Sequence, residues 1–416
     1  MIERIRSQFF DRINFRQTFT ALKYPNYRLW FWGQMTSLFG SWMQATAQGF
    51  LIFQLTRSPA YLGFVGFANG VPTWMFMLYA GVVADRMSRR NLMIITQTAM
   101  MILAFITAAL TFLHVIQPWH IIVLAFGFGV ANAFDAPARQ AMVQELVGSE
   151  DLTNAIALNS AMFNTSVSLG PAVGGLTYAL FGPAWCFTIN GLSFIAVIVA
   201  LFAMKLPALI RPTEQNSIVA DFKEGLSYVL HHSVIRTIIS LVGVVGLFGF
   251  TFATLMPAWA VQVLHGNAKT NGVLQSARGI GALASALMIA SLGRFEFRGK
   301  LLTLGSFAFP ILLVVFSFVR WLPLSLFLLV GIGFSLILIF NLANSSVQTL
   351  TPHALRGRVM SIYSLTFFGS LPIGALIIGA IADKIGEPPT LVITSLIVLI
   401  YAAVVFGAMP KLRSLS

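Results

Sequence analysis

Residues 59–114 read PAYLGFVGFANGVPTWMFMLYAGVVADRMSRRNLMIITQTAMMILAFITAALTFLH. Two apolar runs, 59–84 and 91–114, flank a short loop that holds Asp85, Arg86, Arg89 and Arg90. Each run is longer than the roughly 20 residues an α-helix needs to cross a bilayer. Such a pair is a helical hairpin with its charge gathered on one side of a membrane.

Outward from this hairpin the pattern continues. Apolar runs lie near 29–55, 119–145, 152–180 and 183–206, then near 236–264, 270–292, 300–319, 322–350, 357–382 and 389–409. That makes six and six. Of the 416 residues 57% are hydrophobic and 9% charged, whereas a soluble domain carries roughly 25% charge. The expected fold is an all-α membrane protein of twelve transmembrane helices in two six-helix, pseudo-symmetric bundles. Residues 1–206 form the first bundle, 207–235 a cytoplasmic linker with a surface helix, and 236–416 the second bundle.

Twenty-one of the 26 Lys and Arg residues fall on one side of these spans and four on the other, with Arg278 inside a span. The positive-inside rule places both termini and the central loop in the cytoplasm of a bacterial inner membrane. Trp119, Trp185 and Trp321 start spans on the opposite side, as interfacial anchors do. Segments 2–15 (Ile2, Ile5, Phe9, Ile13) and 218–230 (Ile218, Phe222, Leu226, Val229) are amphipathic and are expected to lie on the membrane surface. Residues 1–28 hold six basic residues and no apolar core, so no cleavable signal peptide is expected.

A net charge of +13 is explained by this topology, and no nucleic-acid partner is expected. The one cysteine, Cys186, rules out a disulfide framework and a multi-Cys metal site. The six histidines show no ligand spacing. No metal, cofactor or catalytic group is expected, and the chain is read as a monomer and not as an enzyme.

The halves repeat. A shift of 204 residues aligns Val143 with Val347, Gln144 with Gln348, Leu146 with Leu350, Ser160 with Ser364, Gly170 with Gly374 and Gly175 with Gly379. Such repeats underlie alternating access, in which one half rocks against the other around a midplane site.

The loop Gly81-Val-Val-Ala-Asp85-Arg86-Met-Ser-Arg89-Arg90 resembles the signature G-x-x-x-D-R-x-x-R-R/K of the major facilitator superfamily, at the place between spans 2 and 3 where that family carries it. The resemblance implies a cytoplasmic latch. Asp85 would face the start of span 11 near Arg356 and Arg358, and Arg89 would reach Glu145. A carboxylate gains from a helix N-terminus, and arginine pairs well with carboxylates. Positive-inside topology alone accounts for the arginines but not for Asp85. The corresponding loop, Gly293-Arg294 to Arg298-Gly299-Lys300, lacks the acid.

Span 5 contains Ser166-Val-Ser-Leu-Gly170-Pro171-Ala-Val-Gly174-Gly175. It resembles the superfamily's antiporter motif G-x-x-x-G-P-x-x-G-G, with Ser166 in place of the first glycine, and that motif goes with export. The small residues would let spans 5 and 8 approach closely; ordinary small-residue packing is the other reading. The run Asn132-Ala-Phe-Asp135-Ala-Pro137-Ala-Arg139, with Glu145 and Asn154 to Ser160, is similar to the branch that includes the enterobactin exporter.

Asp135 and Arg139 share a helical face in the favourable acid-first order. The acid sits about 24 Å from the periplasmic end of its helix. The pair is either a proton-coupling site, with an acid that gains and loses its partner between states, or a static neutral pair. Arg278 on span 8 has no acid at its depth. It calls for an anionic substrate group or a backbone carbonyl.

Span 1 carries Gln34, Ser37, Ser41, Gln44 and Gln48 at spacings of 3, 4, 3 and 4. A polar stripe of this kind faces protein or a water-filled cavity, because lipid cannot satisfy it. The resemblance to the superfamily, whose spans 1, 4, 7 and 10 line the central cavity, implies that this stripe, with Thr251, Thr254 and Trp259 on span 7, Asn341 and Asn344 on span 10, and Trp42 beside it, outlines an amphipathic substrate cavity; polar packing between helices is the other reading. The expected function is proton-coupled export of a small amphiphilic molecule, a siderophore or a drug. Lysophospholipid flipping, a membrane-embedded enzyme and a non-transporting receptor are the alternatives. The partners expected are the solute, protons and the lipid bilayer.

Overall fold

The computed structural model describes residues 19–204, 218–292 and 297–413, for Leu78, Val82, Asp85, Ile218, Val219, Ala220, Asp221 and Lys411 the backbone only. The amphipathic segment 2–15, the linker 207–217 and the loop 293–296 lie outside the described residues.

Twelve long helices follow one another: α1 Pro25–Thr56, α2 Pro59–Arg86, α3 Arg89–Phe112, α4 Pro118–Leu146, α5 Leu152–Phe181, α6 Pro183–Ala203, α7 Ser233–Val263, α8 Ala268–Leu292, α9 Arg298–Phe318, α10 Leu322–Leu350, α11 Arg356–Ile385 and α12 Glu387–Ala408. The surface helix Ile218–His231 precedes α7. Nine of the twelve are long and apolar enough to cross a membrane by composition alone. The other three, α1, α2 and α5, are 32, 28 and 30 residues long. Several helices open on a proline in the first turn, where a missing N–H costs nothing. Gly182 and Gly386, 204 residues apart, end α5 and α11 with φ of 89° and 84°. Side chains at these φ values are strained, so the repeat has kept glycine at both turns.

Helix pairings recur between the halves. In the first, α1 packs on α5 and α6, α3 on α4 and α6, and α2 on α4. In the second, α7 packs on α11 and α12, α9 on α10 and α12, and α8 on α10. One apolar core runs from Val229 to Leu412 around Phe309 and Phe316; another surrounds Trp30, Met93 and Met142. Large apolar side chains such as Phe327 and Leu113 point outward, suiting a lipid surround.

Besides smaller contacts such as α1 with α7, two crossings join the halves, α5 with α8 and α2 with α11. Both are tight at the Arg57–Lys269 end and in the middle of the molecule. There Gly175 meets Gly272, Gly379 meets Gly63, and Gly49 abuts Pro257. Ser58 Oγ also donates to Asp383 across the halves. Toward the other end the helices part. No described atom lies within 4 Å of where a Cβ would sit on Gly81 or Gly357, and Met75, Tyr79, Ile156 and Leu287 are exposed. The molecule is closed at the Arg57 end and open at the end that bears Arg86 and Arg356.

Candidate functional site: an interhelical cavity and a buried aspartate

α1 divides its polar stripe between two tasks. Ser41, Gln44 and Gln48 line a cavity of about 200 Å³ together with Asn69 of α2, Thr254 of α7 and Gln275 of α8. Phe128, Pro257 and Leu62 supply its apolar wall. Gln44 is fixed from behind by Asn190 of α6, whose Nδ2 donates to its Oε1 at 2.7 Å. The cavity sits just below the closed crossing and is reached from both halves.

The lower part of the stripe turns inward. Gln34 is buried, and Ser37 donates to Gln97 Oε1 of α3 at 3.3 Å. Gln97 Nε2 in turn donates to Asp135 Oδ1 of α4 at 2.9 Å, and Thr96 Oγ1 lies 2.9 Å from the same oxygen. Asp135 is 1% exposed. Arg139 Nε stands 3.8 Å from Oδ2, which is attraction without a hydrogen bond. The carboxylate is therefore held mainly by the neutral donors of α3. Spacing within α4 had pointed only to Arg139. A polar Thr96-Gln97 pair inside the apolar run 91–114 was the signal available for these partners, since an amide in a span must face protein.

Other stripe candidates sit elsewhere. Trp259 is fully buried and stacks on Phe316 of α9 at 4.6 Å, with the Arg320 guanidinium 5.5 Å from its ring centroid. It belongs to the Val229–Leu412 core rather than the cavity, at the start of the π-helical turn Trp259–Val263. Thr251 is buried, bonded to the Leu247 carbonyl and packed on Gly374 of α11. Trp42 meets Phe163 edge-to-face. Asn341 is exposed on α10, while Asn344 accepts from Gln348 at 2.7 Å. Neither lines this cavity. Asn69 and Gln275 do.

Arg278 makes neither an ion pair nor a hydrogen bond among the described residues, and its Nε is buried without a partner. Its guanidinium lies over the Phe250 ring, 5.6 Å from the centroid. α7 changes there from π-helix, Val245–Gly249, to 3-10 helix, Phe250–Leu255.

At the open end Arg89 Nη1 reaches Glu145 Oε1 at 2.5 Å and the Ala141 carbonyl at 3.3 Å. Arg90 Nη2 donates to the Phe202 carbonyl at the end of α6, a favourable place for a cation. Both contacts stay within the first half. Arg358 pairs with Glu224 of the surface helix at 2.6 Å. The approach of Asp85 to Arg356 and Arg358 lies outside the described residues, as that side chain does.

The antiporter-like segment faces two ways. Gly170 and Gly174 take Trp42 and Met43 of α1, whereas Pro171 and Gly175 take Gly272 of α8. At this junction Ser276 Oγ of α8 accepts from the Ala172 N–H at 2.9 Å.

Residues 16–415 match the transmembrane secretion effector family. Over 391 residues the chain is 27% identical to the multidrug efflux pump Tap of Mycolicibacterium fortuitum, covering 92% of this chain and 95% of that protein. Over 361 residues it is 25% identical to the staphyloferrin A transporter of Staphylococcus aureus, covering 83% and 87%. Its fold superposes on the crystal structure of a D-xylose-proton symporter with a TM-score of 0.73 at 11% identity, covering 94% of this chain and 99% of that one. The chain belongs to the transmembrane secretion effectors of the major facilitator superfamily and is a secondary transporter of small molecules, not an enzyme.

Proposed function

We propose that the protein exports a small amphiphilic molecule, drug-like or siderophore-like, from the bacterial cytoplasm in exchange for protons. The halves 1–206 and 236–416 rock about the two glycine crossings, and 207–235 links them. The basic open end faces the cytoplasm, so this conformation faces inward. The relatives named for multidrug efflux and for staphyloferrin A transport support export of such solutes.

The surroundings of Asp135 carry the reading. Thr96 Oγ1 stands 2.9 Å from Asp135 Oδ1 and 3.1 Å from the Met93 carbonyl, with one hydrogen to give. While Asp135 is ionised the hydroxyl serves the carboxylate, the stronger acceptor. Once Asp135 is protonated, the acid donates to Thr96 and the hydroxyl turns to Met93. Both protonation states thus keep their hydrogen bonds, whereas the attraction of Arg139 exists only in the ionised one. Gln97 and Ser37 connect the acid to α1 one turn below the cavity-lining Ser41. A change at Asp135 is thereby felt by the helix that holds the solute.

The test uses inverted membrane vesicles, acid inside, with fluorescent amphiphiles outside. Accumulation that nigericin abolishes is expected; accumulation that survives collapse of the pH gradient excludes proton antiport.

A further inference from the structure

Arg278 is the eleventh residue of α8, about 15 Å from the start of that helix. Between Glu224 and Asp383 the sequence holds a single acid, Glu296, in the loop after α8. Asp135, the acid inside the first half, is engaged by Thr96, Gln97 and Arg139. Among the described residues, the cavity region of the second half therefore carries one positive charge with no acid paired to it. A static cation in a membrane span is costly and is ordinarily paired. The outer guanidinium nitrogens have no described protein partner, and solvent reaches the half-buried residue.

The surroundings say what completes the site. Phe250 lies under the guanidinium, and its ring touches those of Phe340 at 6.0 Å and Phe367 at 6.2 Å. One helical turn toward the closed end, Gln275 and Thr254 enter the polar cavity. An arginine braced on an aromatic face keeps its fork planar and fixed, which favours two parallel bonds to a carboxylate. Irregular winding of α7 at Phe250 is the kind of segment that membrane and soluble helices place at functional sites.

We infer that Arg278, seated on Phe250 one turn from the cavity-lining Gln275, is an anion-binding point beside the cavity and that the transported solute is an amphiphilic carboxylate whose apolar body lies on the Phe250–Phe340–Phe367 cluster. This rests on the transporter reading above and narrows its substrate class. The head binds Arg278, and the polar remainder reaches Gln275, Thr254 and Gln44.

Equilibrium binding to the purified full chain in detergent, at fixed pH without a gradient, tests it separately from proton coupling. Three probes are used, benzoate, salicylate and 1-pyrenebutyrate, each beside its methyl ester. At least one acid is expected to bind about tenfold more tightly than its ester. Arg278→Gln should reduce that preference to about twofold or less, while Arg278→Lys should keep part of it. Phe250→Leu should weaken 1-pyrenebutyrate without equalising acid and ester, and it serves also if Arg278→Gln does not fold. Equal binding of acid and ester, no binding by any of the acids, or a preference untouched by Arg278→Gln overturns the proposal. Loss of gradient-driven transport with the acid preference intact overturns proton coupling instead.

Discussion

Gly175 of α5 rests directly on Gly272 of α8: a Cβ on Gly175 would stand 3.0 Å from the Gly272 Cα and 2.5 Å from the Ala268 carbonyl oxygen. Gly379 of α11 makes the same contact with Gly63 and the Pro59 carbonyl of α2. The sequence repeat is thus a repeat of contacts between the halves. Gly175→Ala should force the α5–α8 backbones apart, costing about 1–3 kcal/mol as overpacking does, and should slow transport. Gly407→Ala, which meets no atom within 4 Å, should leave both unchanged. Thermal unfolding beside initial transport rates reads the contrast.

Gln97→Ala removes one donor from the buried Asp135 and the acceptor of Ser37. Leaving a buried acceptor short of a bond costs about 1–3 kcal/mol, so the midpoint of thermal unfolding should fall. Thr96→Val removes the hydroxyl that serves both protonation states and should lower gradient-driven transport more than solute binding. Equal losses in the two measurements would show that Thr96 is structural only.

Arg89 and Glu145 form a half-buried pair at the open end. Arg89→Glu or Glu145→Arg alone should impair transport, and the reversed pair should restore much of it. The pair itself should be worth about 1 kcal/mol in a double-mutant cycle.

Below the membrane end of α1, Lys23 Nζ lies 2.6 Å from Asp151 Oδ2, and Tyr24 donates to the same oxygen at 3.0 Å. The hydrogen bond from Lys23 holds the Asp151 carboxyl below its ordinary range and, reciprocally, raises Lys23. A depressed acid stabilises above its unfolded pKa and loses that contribution as pH falls through the folded one; a raised lysine loses its contribution as pH climbs past its folded value. Docking of Thr20–Lys23 on the start of α5 should therefore hold from pH 5 to pH 10 and loosen on the acid side of the carboxylate range. Hydrogen exchange at Ala21, whose N–H is bonded to Asn154, should rise there, and Asp151→Asn should remove that dependence.

Much of this was legible from residue order. Apolar runs gave the helices within a few residues, because span length is set by bilayer thickness and helix rise. Arg89 meeting Glu145, and Asp135 facing Arg139, followed from a motif and from helical spacing. What the sequence did not reveal were the partners of Asp135 on a neighbouring helix. Thr96 and Gln97 lie on α3, and which face of a span meets which neighbour is decided by packing. Trp259 was misplaced for a related reason. α7 is wound in π and 3-10 turns that hydropathy does not register, so no single helical period says which way Trp259 points.

The central claim is that Asp135 couples proton movement to the solute. Asp135→Asn in sealed vesicles separates coupling from passage: solute exchange without a gradient needs only the moving halves, and gradient-driven accumulation needs the carboxyl group. Exchange should persist within about threefold of the unaltered protein, the kind of change left by a lost charge-assisted bond alone, while accumulation should vanish. Undiminished accumulation in Asp135→Asn would contradict the account.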